Sequence, residues 1–552
     1  MILRTLALAA AAAAIFAPSS SPSASPEGGG RFAIGLAPDA DPEAVARAVE
    51  ARTGAAVESL APIPALVVDG PRGASLVGLP GVRYVEPLVS RRLAYVPTDP
   101  FVPRQWYLTR SRFYESWPAL PPLRRAIVAV IDSGVDAGHP ELDGRILDAR
   151  SFVGGSARVD TLGHGTFVAG LIAAWVDNGI GIAGLASSAE LIVAKVVTST
   201  RQIPIDAEVR AIRWAVDSGA RVINLSLGGV RDPLDPSRDR FSRLEADAIA
   251  YAVSKGVVVV AAVGNADDAP RSPWPYASYP AALPHVLGVS AVAETGSVPR
   301  FSNRDRIYND IAAPGERIFS LLPRSLTASF PTCVEQGYSS CGPEEFRDAQ
   351  GTSYAAPQVS AAAAVLLALL PGLRSEQVTA ILQRTAADSN AETGCPACAV
   401  GRDALTGWGK LDVAAAIAAL EEPLPARDRF EPNDDTGARA VRLSGSTRRI
   451  SATVDFWDDQ DDVYAIYLER GQRVYLGLTG PDPAIDLTLA VWRPRTPSVT
   501  GVGYQRFRAA LSSRPGSREH LVYEAKTTGW HFAHVRASGP GTTPYRLTVV
   551  KG

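Results

Sequence analysis

The chain has 552 residues, 46% of them hydrophobic, and a formal net charge of -2 at pH 7. That near-neutral balance argues against a nucleic-acid surface. The apolar content can bury more than one core, and at roughly 150 residues per domain the length predicts three or four folded units.

The N-terminus reads as an export signal over residues 1–25: Arg4 supplies a positive charge, Leu6 to Ala17 is apolar, and Pro18 to Ser25 offers small-residue cleavage positions. The apolar run is short for a membrane span, and no later stretch approaches about 20 uninterrupted apolar residues. A soluble secreted or periplasmic product without a membrane span is expected. Residues 31–95 then carry a β-α-β-α-β pattern, with strands over Phe32 to Leu36, Ala65 to Asp69 and Val82 to Pro87 and helices over Pro42 to Thr53 and Ala74 to Leu79. It predicts a small α+β domain.

From residue 99 to 420 strand and helix periods alternate, which predicts an α/β domain with a doubly wound, mostly parallel sheet. The apolar run Ala126 to Ile131 is closed by Asp132 and followed by Ser133-Gly134, placing an acid where a strand ends. Gly163-His164-Gly165-Thr166 opens a helix predicted to run to about Val176. Strands are predicted over Leu191 to Val197, Val222 to Leu227, Val257 to Val263 and Val286 to Val292. Between the first two, Ile205, Val209, Ile212 and Val216 form a helical stripe that reads as core. Gly264-Asn265 follows the third, and Gly351-Thr352-Ser353-Tyr354-Ala355-Ala356-Pro357 opens an alanine-rich helix.

Acid, imidazole and hydroxyl suit acyl transfer. A serine hydroxyl is a poor nucleophile until an imidazole takes its proton, and the imidazole needs a carboxylate to fix its tautomer. A helix start aims amides at a developing oxyanion, and the Asn265 amide could donate there as well. Singly, each residue is read as a cap or turn residue; together they form a constellation that no structural need explains.

The four cysteines, Cys333, Cys341, Cys395 and Cys398, fall late in this region and suit an oxidising compartment. Three connectivities are open, with the local pairs Cys333 to Cys341 and Cys395 to Cys398 expected. Glu421-Glu422-Pro423-Leu424-Pro425 marks a linker over 421–427. Residues 428–552 follow with short β-type runs at Arg449 to Phe456, Asp462 to Leu468, Arg473 to Leu478, Leu487 to Trp492, His520 to Glu524, Trp530 to Val535 and Tyr545 to Val550. These predict a C-terminal β-sandwich.

The order Asp132, His164, Ser353 resembles that of subtilisin-like (subtilase) serine peptidases, and the likeness is colinear from about Asp99 to Leu420. It includes Asp132-Ser133-Gly134-Val135-Asp136, Asp160 to Gly170, Val222 to Gly229, Ala261 to Asn265, Phe301-Ser302, Ala313-Pro314-Gly315 and Gly351 to Pro357. The resemblance implies a secreted endopeptidase in which Asp132 orients His164, His164 is base then acid, Ser353 attacks, and Asn265 with the Ser353 amide binds the oxyanion. It implies protein or peptide substrates, a monomer, and no cofactor for the chemistry. It also implies that residues 31–95 are an inhibitor-like propeptide that assists folding, with processing between Glu86 and Pro100.

The resemblance further implies that Ser226, Leu227, Gly228, Gly229 and Gly264 wall the primary pocket above Ser278, without an acid to favour basic residues. The segment Thr200 to Ile203 would be an edge for extended substrate, or a plain loop. Glu141 and Asp177, the latter in Asp177-Asn178-Gly179-Ile180-Gly181, match a calcium site of hard oxygen ligands, or are ordinary turn residues. Two positions depart from the family: Tyr354 replaces a common methionine, so peroxide tolerance is expected, and Phe167 replaces a histidine. Phe430-Glu431-Pro432-Asn433-Asp434-Asp435, with Asp461-Asp462-Val463-Tyr464, resembles bacterial pre-peptidase C-terminal domains. The competing reading is an inactive subtilase scaffold serving as a secreted binding or adhesion protein.

Overall fold

The pattern of apolar residues along each strand decides whether one face or both are covered. The computed structural model describes residues 30–70, 76–88, 96–115, 125–329, 345–422, 427–500 and 504–552. The expected signal segment, Cys333 and Cys341, residues 89–95 of the expected processing stretch and 423–426 of the linker lie outside them. Residues 1–93 and 94–552 form two compact units.

In the first unit, strands β1 (Gly30–Leu36), β2 (Val57–Ser59), β3 (Ala65–Gly70) and β4 (Val82–Pro87) form an antiparallel sheet in the order β2-β3-β1-β4. Helix α1 (Pro42–Thr53) starts where the Asp41 side chain accepts from the Glu43 amide and stops at Gly54, whose φ is 71°. Phe32, Ile34, Val45, Val49, Leu66 and Val68 form its core. The helix expected over 74–79 is a turn across 76–79, with 71–75 outside the described residues, and the short β2 was not anticipated.

In the second unit, seven parallel strands run β11-β10-β9-β8-β5-β7-β6. They are β5 (Ala126–Asp132), β6 (Ile146–Ser151), β7 (Ala189–Lys195), β8 (Val222–Leu225), β9 (Val258–Ala262), β10 (Val286–Val292) and β11 (Ile311–Pro314). Helix α2 (His164–Ala173), helix α3 (Ile205–Asp217), helix α4 (Arg243–Ser254), helix α5 (Thr352–Leu369) and helix α6 (Ser375–Arg384) cover it. Along β5, Val128 and Val130 join the core shared with α2 and α5, while Ala129 and Ile131 join the core under α3 and α4. That two-sided burial makes strands of a doubly wound sheet apolar throughout.

Helix α5 is long and apolar enough to cross a membrane, but 89% of it is buried within the protein, as a central core helix requires. Outside the main sheet, β12 (Ile318–Leu321) pairs with β13 (Phe346–Ala349). Helix α2 ends at Ala173, three residues before the expected Val176.

The C-terminal part forms two facing sheets. One joins β14 (Val441–Leu443), β16 (Asp461–Leu468), β18 (Leu487–Trp492), β19 (Arg508–Ser512) and β21 (Gly529–Ala537); the other joins β15 (Thr447–Asp455), β17 (Arg473–Thr479), β20 (Arg518–Glu524) and β22 (Thr542–Lys551). Ile450, Val454, Tyr464, Leu476, Leu489 and Leu547 pack between them. This sandwich meets the α/β part where Trp408 packs on Trp457 at 4.7 Å and on Phe456 at 5.6 Å, and where Arg374 pairs with Asp458 at 3.0 Å.

Between α3 and α4, Glu208 and Glu245 are both buried, and burial pushes both carboxyls up, Glu245 to about 7 from its ordinary 4.5. The fold therefore favours the neutral form. Its contribution is complete below about pH 4.5 and is lost as pH rises through about 7. Glu208→Gln removes one charge at constant shape. Its melting temperature at pH 8 is expected to exceed wild type by about 2–4 °C per kcal/mol relieved, a gap that closes below pH 4.5; equal melting curves at both pH values would contradict this.

Candidate active site

Because all seven strands of the main sheet are parallel, the ends of β5, β8 and β9 face the same edge, and the chain leaves that edge as Asp132, Ser226 and Asn265. His164 arrives at the start of α2 and Ser353 in the first turn of α5.

Both oxygens of Asp132 face His164 Nδ1, at 2.8 and 2.9 Å. Asp132 is buried, and its Oδ1 also accepts from the Ser133 amide at 2.7 Å. Burial pulls the His164 pKa down, but Asp132 outweighs it and leaves the pKa raised above 6.5. The imidazole is thus held with its Nδ1 proton on the acid and its Nε2 free to accept.

Asp160 builds the turn that delivers His164. Its Oδ1 accepts from the Leu162 and Gly163 amides and from Ser133 Oγ, at 2.9 to 3.0 Å, while Oδ2 accepts from the amide and hydroxyl of Thr166 at 2.9 and 2.8 Å. Ser133 Oγ also accepts from the Gly165 amide at 2.9 Å. Any side chain at Gly165 would collide with the Gly134 carbonyl, so glycine is what lets the imidazole approach the acid. Asp160 and Ser133 lie within the segments that carry the family likeness, yet sequence reasoning assigned them no role.

Ser353 is anchored through its own backbone. Pro357, four residues on, has no N–H to give the Ser353 carbonyl its helical partner. Ser226 Oγ takes that place, donating to Ser353 O at 2.7 Å, and accepts in turn from Asn224 Nδ2 at 2.9 Å. Asn224 Oδ1 accepts from Ser360 Oγ at 2.9 Å, so a buried chain of side chains ties β8 to two levels of α5. Ser353 Oγ itself donates to Ser226 O at 3.1 Å.

Asn265 is fixed in one orientation. Its Oδ1 accepts from the Thr352 amide at 3.0 Å and from Thr352 Oγ1 at 3.1 Å, so Nδ2 is the atom left to donate beside the Ser353 turn. The Ser353 amide, in the first helical turn, has no helical acceptor.

Around the sites named for the primary pocket, Gly229 and Tyr279 exchange two backbone bonds of 2.9 Å, and the Ser278 amide donates to Val263 O at 2.8 Å. Segments 226–229, 263–264 and 278–279 are thereby brought together. A Cβ at Gly264, whose φ is 92°, would strike Ser278 Oγ. Asn303 Nδ2 donates to Val263 O and to Ser278 Oγ at 3.1 and 3.3 Å. Leu227 instead packs toward the core under α3 and α4. Asp305 lies behind this region, but it is paired with Arg231 at 2.8 Å. Residues 200–203 are a tight turn, with Thr198 N donating to Gln202 O, and not a strand.

The two family departures touch each other: the Tyr354 ring lies 4.5 Å from Phe167 and 5.4 Å from His164, centroid to centroid. Tyr354 thus lies against the imidazole, backed by Phe167, where a methionine would carry an oxidisable sulfur, and the only methionine in the chain is Met1. Casein hydrolysis is expected to survive mild peroxide treatment; loss of most activity would contradict this.

Glu141 and Asp177 are not brought together through their carboxylates. Asp177 Oδ1 accepts from the amide and hydroxyl of Thr98 at 2.8 and 3.0 Å. Glu141 is fully buried with both oxygens lacking a hydrogen bond of normal geometry, and burial followed by the charge of Asp99 pushes it up to about 8. Asp99 accepts from the amides of Asp177 and Asn178 at 2.9 and 3.1 Å. The Asn178 side chain and the Ile182 amide also approach the Glu141 carboxyl, and this all-oxygen surrounding beside Asp99 suits a hard cation. Cys395 and Cys398 form a disulfide.

The subtilase family model matches residues 124–409. The chain is 32% identical to thermitase of Thermoactinomyces vulgaris over 53% of this chain and 92% of that protein. It is 31% identical to the thermophilic serine proteinase of Bacillus sp. strain AK1, over 56% of this chain and 68% of the relative. Identity to subtilisin E of Bacillus subtilis strain 168 is 35%, over 47% and 60%.

Proposed function

From this chain's membership of the subtilase family, as a subtilisin-like serine endopeptidase, we propose that Asp132, His164 and Ser353 are its catalytic triad and Asn265 its oxyanion donor. The observation that carries this reading is the double contact of Asp132 with His164 Nδ1, which leaves Nε2 as base at the sheet edge where Ser353 starts its helix.

In the mechanism, Ser353 Oγ turns from Ser226 O and gives its proton to His164 Nε2 as it bonds to the substrate carbonyl carbon. The carbonyl oxygen becomes an anion held by Asn265 Nδ2 and the Ser353 amide. The peptide C–N bond then breaks, the amine leaves with the proton from His164, and the acyl group stays on Ser353. Water, deprotonated by His164, attacks this ester, and release of the acid returns the proton to Ser353.

The neutral imidazole is the active form, so kcat/KM is expected to fall as pH drops through the His164 pKa, with the acid limb centred above 6.5. Asn265→Ala is expected to lower kcat by about 100 to 1,000-fold, the cost measured for the equivalent asparagine of subtilisin itself, with KM little changed. Steady-state kinetics on a chromogenic peptide test both; unchanged kcat in Asn265→Ala would remove it from the mechanism.

The same reading includes export through residues 1–25, self-processing of a zymogen whose first unit serves as inhibitor and folding aid, and a C-terminal domain of the pre-peptidase type. The pairing of Asp305 with Arg231 supports a preference for apolar or aromatic residues over basic ones. Where Ca²⁺ binds near Glu141, that carboxylate with Asp99 and Asn178 would hold it, and it would stabilise the fold without entering the chemistry.

A further inference from the structure

The second sheet of the sandwich has two unlike faces. Its strands lie in the order β15-β22-β17-β20, and burial alternates along each of them. One set of side chains, with Ile450, Leu547, Leu476 and Leu521, enters the core between the sheets. The other set faces solvent, where Tyr475 is 45% and Val522 58% exposed.

Strand register places the outward residues in rows across the four strands. Arg449, Thr548, Gly477 and His520 form one row, and Ser451, Arg546, Thr479 and Arg518 form the next. At about 4.8 Å between strands, Arg546 and Arg518 stand roughly 10 Å apart, with Arg449 diagonal to Arg546. All three arginines are exposed, and among the described residues none has an ion-pair partner. The acids of these strands do not offset them. Asp455 and Glu519 are buried, and Glu524 is paired with Arg473 at 3.3 Å and with Lys526 at 3.4 Å. A chain with a net charge of -2 thus gathers uncompensated positive charge on one sheet face.

Like charges so placed repel one another and add nothing to the stability of the sheet, so a partner of opposite charge is what gives them a use. Ser451, Thr479 and Thr548 stand between the arginines, with hydroxyls that can both donate and accept. A Cβ at Gly477 would meet nothing within 4 Å, which leaves the centre of the face open, and Tyr475 is two residues away on the same strand. We propose that this face binds an acidic polysaccharide, its sulfate or carboxylate groups on Arg449, Arg518 and Arg546 and its sugar hydroxyls on the serine and threonines, and so tethers the peptidase to the polymer. A single-stranded nucleic acid would call for several rings on which bases stack, and a duplex for an element that enters a groove. The face offers one ring and lies on the strands of a sheet.

The test uses the full chain carrying Ser353→Ala, to suppress self-digestion, and dextran sulfate as the probe. This parent is expected to bind it at about 50 mM salt, where screening is weak, and not to bind uncharged dextran of the same length. Adding Arg449→Ser, Arg518→Ser and Arg546→Ser is expected to weaken binding about 30-fold, roughly threefold for each exposed ionic contact. Removing the same charge from the α/β part, with Arg243→Ser, Arg271→Ser and Arg306→Ser, is expected to leave binding unchanged. A parent that does not bind, or equal loss in the two folded variants, would overturn the proposal. Single-stranded DNA that displaces dextran sulfate at a lower charge concentration would overturn the partner class. If the face variant does not fold, arginine labelling of the parent with phenylglyoxal decides. Dextran sulfate is expected to protect Arg449, Arg518 and Arg546 but not Arg243, and labelling that it leaves unchanged would overturn the site.

Discussion

Replacing Ser353 with alanine is expected to lower casein hydrolysis by about 10⁶-fold, the cost measured for the nucleophile of subtilisin itself. The substitution removes one oxygen whose neighbours are otherwise held. Ser226 Oγ still donates to the residue 353 carbonyl, Thr352 still binds Asn265, and His164 still faces Asp132, so the fold and the pocket persist. The same chain is expected to keep its full mass over time, whereas wild type shortens within Glu86 to Pro100. Wild type and Ser353→Ala with equal activity and equal mass, both folded, would favour the inactive-scaffold reading and move function to the sandwich.

Asp132→Asn is expected to cost about 10⁴-fold in kcat with KM little changed. In the native site both carboxylate oxygens accept from Nδ1, which leaves Nε2 unprotonated. An asparagine has the same shape but can turn its NH₂ to Nδ1, which places the imidazole proton on Nε2, where it blocks transfer from Ser353. The raised His164 pKa should fall as well, because Asp132 is its main support against burial. Kinetics over pH 5–9 separate the effects: a variant with wild-type kcat and an unmoved acid limb would mean that Asp132 does not set the tautomer.

The four residues of the proposed machinery were legible because each interrupts a period. Asp132 ends an apolar run, His164 sits between two glycines, Asn265 follows a strand and a glycine, and Ser353 opens an alanine-rich helix. The doubly wound sheet was legible for the same reason, since β5, β7, β9 and β10 are apolar on both faces. Edge strand β6 was missed because its sequence, Ile-Leu-Asp-Ala-Arg-Ser, is half polar and much of it is exposed.

The supporting residues were hidden for a different reason. The role of Asp160 comes from accepting five hydrogen bonds in a turn, which no spacing rule reports. Asn224 meets Ser360 across 136 residues of sequence, and only the fold brings that pair together. Asp177 looked like a ligand because of its loop, but Thr98, 79 residues away, occupies its carboxylate, and Asp99 is the acid that faces Glu141. In the sandwich, Glu431 to Asp435 stood out as a motif, whereas Asp459, with a carboxylate oxygen within 4.8 Å of those of Glu431 and Asp434, joins it only through the turn into β16.

The central claim is that Ser353, activated by His164 and Asp132, forms an acyl-enzyme. The most direct measurement is mass spectrometry of the active chain after treatment with a serine-directed phosphonylating inhibitor. One adduct per chain, on the peptide that contains Ser353, and none on the Ser353→Ala chain, is the predicted result. An active chain that gains no adduct, or carries it on another residue, would contradict the assignment.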